Sequence, residues 1–129
     1  MGAEYEFKMP YAIGIDLTEV DDVRDSISRF GDRYLERVYT ASERADCGTD
    51  PRRLAARFAA KEAAMKALAP ADRLPWHSIS VVRDAAGRPS LQLSGEAAEL
   101  ASRLGVSGIS VSLTHERSVA AAIVLTEAA

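Results

Sequence analysis

The first clear pattern along the chain is a short apolar run that ends at an acidic residue. Residues 11–17 read YAIGIDL, and this glycine-containing run predicts a buried strand with Asp16 as its polar exception. Thr18 follows at the expected N-cap position. Acidic residues come directly after it, in the first turn of the predicted helix, where the helix dipole favours negative charge. Apolar residues at three- and four-residue steps then predict a helix over residues 19–30.

Three further helices are predicted from their boundaries. Gly31 ends the first helix, and residues 32–39 predict a short second one. Thr40 and Glu43 have the spacing of a capping box, which predicts that a third helix begins there. Pro51 suits the first position of a long alanine-rich segment, residues 51–68, that has no internal glycine and strongly favours helix.

The second half of the chain alternates strands with one more helix. Residues 69–76 include two prolines and predict a loop. The predicted strands are residues 79–83, 90–93, 109–113 and 119–125, with turns at 84–89 and 114–118 and a helix at 95–105. We therefore expect the α+β class: a single compact domain with a mainly antiparallel sheet and a long helix.

Composition narrows the classes of function. The chain has 129 residues, enough for one domain, which we assign to residues 11–129 behind a lead-in at 1–10 that is flexible or left over from cloning. A net charge of -3 argues against nucleic acid as a partner. There is no apolar run of about 20 residues and no signal-peptide pattern, so we expect no membrane association. One cysteine, Cys47, gives neither a disulfide nor a zinc-ligand pattern, which favours a cytoplasmic protein.

Two carboxylates stand where apolar residues are expected. Glu62 falls on the apolar stripe of the long helix, where a buried charge needs a partner, either Lys66 one turn later or a bound cation. Asp16 closes the first strand and shares a side with Gly14, which leaves space beside it, although a strand-end aspartate is more often a cap or turn residue. Two carboxylates from separate elements suit Mg²⁺ shared with substrate phosphates.

Four segments carry a resemblance to a known family. They are GID at 14–16, RFAAKEAAMKA at 57–67, GRP at 87–89 and SLTHE at 112–116. In this order they resemble holo-acyl-carrier-protein synthases, which are 4′-phosphopantetheinyl transferases, and the resemblance extends from Tyr11 to Leu125. It implies the phosphopantetheinyl-transferase fold, a homotrimer, and a coenzyme A site that lies between neighbouring subunits.

The resemblance also implies a chemistry for the two carboxylates. Asp16 and Glu62 would hold Mg²⁺, which bridges the pyrophosphate of coenzyme A. Lys66 resembles a family lysine that reaches the phosphates, so Glu62 and Lys66 are the expected catalytic residues. Lys61 is the less certain of the family's two lysines, and the sequence favours a solvated lysine on the helix flank.

Coenzyme A would be contacted by residues of two further segments: Gly87, Arg88 and Pro89, and Ser112, Thr114 and His115. By resemblance the first segment lies beside the nucleotide end of coenzyme A, where Arg88 suits the 3′-phosphate. The second would contact the phosphates. Without the resemblance, the first segment is an ordinary hairpin turn and His115 a structural residue in a tight turn.

The implied reaction transfers 4′-phosphopantetheine from coenzyme A to a serine of an apo acyl carrier protein and releases adenosine 3′,5′-bisphosphate. The resemblance does not decide whether Glu62 or a water molecule is the general base. A non-catalytic relative that binds coenzyme A is the alternative, and a magnesium-dependent phosphohydrolase is a third possibility for which the sequence offers no motif.

The identity of the carrier is left open by two departures from the family pattern. Asp22 stands where relatives usually have an arginine, and KALAPADRLPWH replaces a K-A-x-G-T-G continuation of the long helix. A polyketide carrier is therefore an alternative to the fatty-acid carrier. Arg29, Arg33 and Arg37 recur every four residues and form either a docking stripe for an acidic carrier or a solvated face.

Overall fold

Two antiparallel sheets and four shorter helices surround one long helix in the computed structural model, which describes residues 10–68 and 73–128 together with Gly2, Glu4 and Tyr5. The helices are α1 (Val20–Phe30), α2 (Asp32–Val38), α3 (Ala41–Cys47), α4 (Pro51–Ala67) and α5 (Gly95–Arg103). The strands are β1 (Tyr11–Glu19), β2 (Ile79–Arg83), β3 (Pro89–Leu93), β4 (Val106–Glu116) and β5 (Val119–Ala128), and a short 3-10 helix lies at Trp76–Ser78. The predicted lead-in and the predicted loop fall partly outside the described residues, at 1, 3 and 6–9 and at 69–72.

The larger sheet has the strand order β1-β5-β4, and β2 pairs with β3 in a separate hairpin. Both sheets are antiparallel, as the sequence predicts. In the larger sheet Asp16 lies opposite Ala122, which lies opposite Leu113 on the far strand. Side chains in one such row share a face of the sheet, so Asp16 points to the same side as Ala122, which is buried.

Helix α4 lies directly against the larger sheet because the contact residues are very small. Its buried alanines are Ala55, Ala56, Ala59, Ala60, Ala63, Ala64 and Ala67. A Cβ atom built on Gly14 would lie 1.8 Å from the carbonyl oxygen of Ala63 and 2.8 Å from the amide nitrogen of Ala67. The space that we expected beside Asp16 on the Gly14 side is therefore filled by the backbone of α4.

The predicted helix boundaries are largely confirmed. Thr40 and Glu43 form both hydrogen bonds of a capping box at the start of α3, and Pro51 occupies the first turn of α4. Gly31 separates α1 from α2 with a positive φ of 54°. The predicted N-cap at Thr18 is wrong, because β1 continues to Glu19 and the first helical amide, that of Val20, donates to the carbonyl of Ser118.

The last turn is shorter than the sequence predicts. Strand β4 continues through Thr114 and His115 to Glu116, so only Arg117 and Ser118 connect β4 to β5. Arg117 has a φ of 55°, the left-handed conformation that such a tight connection requires. No helix among residues 10–68 and 73–128 has the length and apolar character needed to cross a membrane.

Candidate active site

Asp16 is held beside α4 by a lysine. Lys66 donates from Nζ to Asp16 Oδ1 at 3.1 Å and to the carbonyl oxygen of Ile15 at 2.9 Å. The hydroxyl of Thr18 donates to Asp16 Oδ2 at 3.3 Å. Asp16 therefore belongs to the interior of β1 and is not the cap or turn residue that was its alternative. Its side chain is 17% exposed, so its carboxylate remains reachable from solvent.

Glu62 is paired with Arg73, an arginine that the sequence patterns do not single out. Arg73 donates from both terminal nitrogens to the two carboxylate oxygens of Glu62, at 2.8 and 3.0 Å. The Glu62 side chain is 18% exposed, and that of Arg73 is 61% exposed. The expected alternative, an ion pair between Glu62 and Lys66, is wrong because the Lys66 ammonium turns toward β1 and contacts Asp16.

The two carboxylates lie on adjoining parts of the structure. Lys66 follows Glu62 by one helical turn, so the contact from Lys66 to Asp16 brings β1 next to the turn that carries Glu62. Within the described residues no group of three or more His, Cys, Asp or Glu side chains is arranged to hold a metal. Two carboxylates fit Mg²⁺, which usually keeps several waters and shares one or two protein ligands with substrate phosphates.

Lys61 is a fully buried residue, and the prediction of a solvated lysine is wrong. Its ammonium lies 2.7 Å from Glu43 Oε1 and donates to the carbonyl oxygens of Trp76 at 3.0 Å and Ile79 at 2.5 Å. Burial lowers the pKa of Lys61, whereas the neighbouring charge of Glu43 acts in the opposite direction. Lys61 thus ties α4 to α3 and to the start of β2, and it is structural within this chain.

Arg73 also borders a basic cavity. Its guanidinium carbon lies 4.6 Å from the centre of the Trp76 ring, which packs on Phe58 at 5.1 Å. The cavity has a volume of about 530 Å³ and is lined by Ser26, Phe30, Arg33, Tyr34, Arg37, Val38, Arg73 and Trp76. Three of these lining residues are cationic and none is acidic, so the cavity suits a negatively charged group.

The predicted docking stripe spans two helices. Arg29 lies in the last turn of α1, whereas Arg33 and Arg37 lie on α2 beyond the break at Gly31. Arg33 and Arg37 line the basic cavity, and Arg29 is not among its lining residues. The regular spacing in sequence therefore does not correspond to one helical face.

The GRP segment forms the turn of the β2–β3 hairpin. Asp84 organises it, because its side chain accepts hydrogen bonds from the amides of Ala86 and Arg88, both at 2.9 Å. Gly87 has a φ of 84°, which explains the glycine. The Arg88 side chain is exposed, and Pro89 begins β3 opposite Arg83. The hairpin turn thus presents an arginine to solvent.

The three predicted residues of β4 do not point the same way. His115 shares a row with Ala120 and Thr18, and therefore the α4 side of the sheet. Ser112 and Thr114 share rows with Ile15 and Leu17 on the opposite side. Thr114 and His115 border a cavity of about 580 Å³ at the β4–β5 connection. Among the described contacts none joins these residues to Asp16, Glu62 or Arg88.

The outer face of the larger sheet is apolar and uncovered. The exposed apolar residues on β1 and β5 are Tyr11, Ile13, Ile15, Leu17, Ile123 and Leu125. Ile13 lies opposite Leu125 and Ile15 lies opposite Ile123, so these side chains form one continuous patch. Such a patch on a folded domain is typical of an interaction surface.

This fold matches solved structures of one class of phosphate-transferring enzyme. The holo-[acyl-carrier-protein] synthase of Helicobacter pylori, in complex with coenzyme A, superposes with a TM-score of 0.81 and is 28% identical, over 89% of this chain and 99% of that chain. The acyl carrier protein synthase of Mycobacterium tuberculosis is 36% identical with a TM-score of 0.72, over 92% of this chain and 97% of that chain.

Sequence comparison defines the family. The model of the 4′-phosphopantetheinyl transferase superfamily matches residues 12–124. A holo-[acyl-carrier-protein] synthase from Chloroflexus aggregans is 47% identical in an alignment that covers 87% of this chain and 91% of the relative. The chain therefore belongs to the 4′-phosphopantetheinyl transferase superfamily.

Proposed function

We propose that this chain is a holo-[acyl-carrier-protein] synthase, which transfers 4′-phosphopantetheine from coenzyme A to a serine of an apo acyl carrier protein. The observation that carries the proposal is the contact of Lys66 with Asp16, which places β1 beside the turn of α4 that carries Glu62 in a chain of this superfamily. Relatives that are 47% and 48% identical to this chain carry the same activity in their names.

In the proposed reaction, the serine oxygen forms a bond to the β-phosphorus of coenzyme A while the bond from that phosphorus to the bridging oxygen breaks. Adenosine 3′,5′-bisphosphate leaves with that oxygen. Mg²⁺ held by Asp16 and Glu62 would neutralise charge on the phosphate oxygens. Lys66, which already lies beside Asp16, supplies a further positive charge at the same place. The serine proton goes to Glu62 or to water.

The coenzyme A site is proposed to lie between subunits of a homotrimer. In support, Arg88 lies in the hairpin turn and His115 at the end of β4, and among the described contacts nothing links either to Asp16 or Glu62. The uncovered patch on β1 and β5 offers the surface for assembly. In this proposal a neighbouring copy supplies its own β4 or hairpin turn to the carboxylates of the first.

Assembly is tested by sedimentation. Ile15→Glu places a charge in the middle of the patch and should convert the trimer to monomers, whereas Leu104→Glu, at another exposed apolar position, should leave it intact. A wild-type chain that sediments as a monomer at all accessible concentrations would contradict the proposed trimer.

The transfer reaction is tested by mass spectrometry of an apo carrier incubated with the protein, coenzyme A and Mg²⁺. A gain of one phosphopantetheine on the carrier supports the transferase. Binding of coenzyme A without any gain would support the non-catalytic alternative, and release of the adenosine nucleotide without modified carrier would support a hydrolase. Comparison of a fatty-acid carrier with a polyketide carrier then defines the preferred partner.

The proposed Mg²⁺ ligands, Asp16 and Glu62, are tested by substitution. Asp16→Ala and Glu62→Ala should abolish transfer and leave the fold intact, since both side chains lie at the edge of the core. Activity of either variant at low Mg²⁺ would argue against the assignment.

We place the protein in the cytoplasm, where a reducing environment suits the buried free thiol of Cys47. Residues 11–129 are proposed as the catalytic domain.

A further inference from the structure

Arg73 stands in the segment where the chain departs from the family pattern, and it contacts a residue of the proposed metal site. Its guanidinium takes both oxygens of Glu62 and lies over Trp76 at the same time. The guanidinium carries its positive charge at any pH at which the chain is folded.

This geometry makes Arg73 and a metal ion competitors for Glu62. A guanidinium bound through two parallel hydrogen bonds uses a lone pair on each carboxylate oxygen, and its positive charge repels a divalent cation that approaches the same oxygens. Binding of the cation is therefore favoured when the guanidinium moves away. By contrast, Lys66 donates a hydrogen bond to only one carboxylate oxygen of Asp16. The other oxygen, Oδ2, accepts one long hydrogen bond from the hydroxyl of Thr18.

We propose that Arg73 is a competing counter-ion of Glu62, which divalent metal displaces when it enters the site. The proposal rests on the function proposed above, because it takes Glu62 as a metal ligand. Arg73 thereby sets the affinity of the site for metal, and it acts through Glu62 as a positioning residue.

The displaced guanidinium turns toward solvent, to which 61% of the Arg73 side chain is already exposed. The cavity that it borders is lined by Arg33 and Arg37 and by no carboxylate, so charge repulsion also favours the solvent. A guanidinium that has left Glu62 no longer lies 4.6 Å from the centre of the Trp76 ring. Displacement from Glu62 therefore changes the surroundings of Trp76, which is the only tryptophan of the chain.

The single tryptophan provides a readout that is independent of activity. Addition of MgCl₂ to the wild-type chain should change the fluorescence of Trp76. Arg73→Ala should lack this response, since no cation leaves the ring, and Asp16→Ala should lose it because metal binding itself is weakened. A wild-type fluorescence that stays constant up to saturation of the site by metal would overturn the proposal.

Affinity is measured with Mn²⁺, through the paramagnetic resonance signal of the free ion. Arg73→Ala should bind Mn²⁺ about two- to five-fold more tightly than wild type, the range expected for removal of a mostly exposed ion pair. Arg33→Ala is the matched control, because it removes a positive charge from the same cavity without contact to Glu62. Arg73→Lys keeps the charge and should give an affinity between those of wild type and Arg73→Ala.

The outcomes separate this proposal from the proposed function. If wild type modifies the carrier but Arg73→Ala binds Mn²⁺ no more tightly than Arg33→Ala, the competition is refuted and the transferase stands. If the wild type neither binds Mn²⁺ nor modifies a carrier, both proposals fail. Because Arg73 is an exposed side chain, the variants should fold normally, which thermal denaturation checks.

Discussion

The ammonium of Lys61 lies 2.7 Å from the carboxylate of Glu43, and both side chains are fully buried. Glu43 also caps α3 through Thr40 and accepts a hydrogen bond from the amide of Val81 at 2.9 Å. The pair thus connects three elements at one point. A buried ion pair of this kind is hydrogen-bonded on every side, because an unsatisfied charge in the core is strongly unfavourable.

Lys61→Met should therefore destabilise the chain by about 3–5 kcal/mol, since it leaves the Glu43 carboxylate buried without its cation. The double variant Lys61→Met with Glu43→Gln should recover part of that loss. Lys66→Met, which changes an exposed lysine of the same helix, is the control and should cost less than about 1 kcal/mol. Urea denaturation measures all three, and equal midpoints for Lys61→Met and Lys66→Met would contradict the buried pair.

Gly14→Ala should destabilise the chain by about 3 kcal/mol or more, because the added methyl group would meet the backbone of Ala63, which cannot turn aside. Gly108→Ala is the matched control on β4, where the nearest atoms belong to the Glu127 side chain at 3.8 Å and beyond. Thermal unfolding should show little change for Gly108→Ala. Similar losses for both variants would mean that the helix contact at Gly14 is not responsible.

Burial raises the pKa of the Cys47 thiol to about 11 from an ordinary value of 9.0. A raised pKa in the folded state means that the unfolded chain loses its thiol proton first. The contribution of Cys47 to stability is therefore complete below pH 9 and declines as the pH rises toward 11. The free energy of unfolding of wild type should fall more steeply over this window than that of Cys47→Ala, and parallel curves would contradict the shift.

Arg88→Ala should weaken binding of coenzyme A about ten-fold and affect dephospho-coenzyme A least, if Arg88 contacts the 3′-phosphate. Arg103→Ala, an exposed arginine on α5, is the control for the loss of one charge. Calorimetric titration of both ligands gives the comparison. Equal weakening for the two ligands would place Arg88 away from the 3′-phosphate.

Arg33→Glu should raise the KM for the carrier a few-fold and leave the affinity for coenzyme A unchanged, because exposed ion pairs contribute only about 0.2–1 kcal/mol each. Added salt should have the same effect. Arg29→Glu tests the α1 part of the predicted stripe, and Asp22→Arg should improve use of a fatty-acid carrier. An unchanged ranking of carriers across the three variants would return these arginines to a solvated face.

The sequence predicts well what local chemistry decides. The capping box at Thr40 and Glu43, the helix start at Pro51 and the hairpin turn at Gly87 are all properties of neighbouring residues, and the structure contains each of them. Asp16 and Glu62 could be singled out because each interrupts an apolar pattern. Family resemblance then supplied roles that pattern alone could not assign.

The errors at Lys61 and Glu62 share one physical cause, which is the dependence of charged side chains on distant partners. Lys61 is buried because Glu43, on another helix, compensates its charge. Glu62 takes Arg73 from the following loop in preference to Lys66 on its own helix. The regular spacing of Arg29, Arg33 and Arg37 fails for a different reason, because the chain changes direction at Gly31 between two helices.

The contact of Gly14 with Ala63 also decides where mobility lies in the site. The backbone of β1 packs directly on the backbone of α4 at this contact, so we expect the two elements to move together. The separation of Asp16 from Glu62 then does not depend on side chains between the two elements. The two carboxylates are preorganised, whereas Lys66 and Arg73 reach them with long and largely exposed side chains. Ligand exchange at the proposed metal site would therefore be a rearrangement of cations around fixed anions.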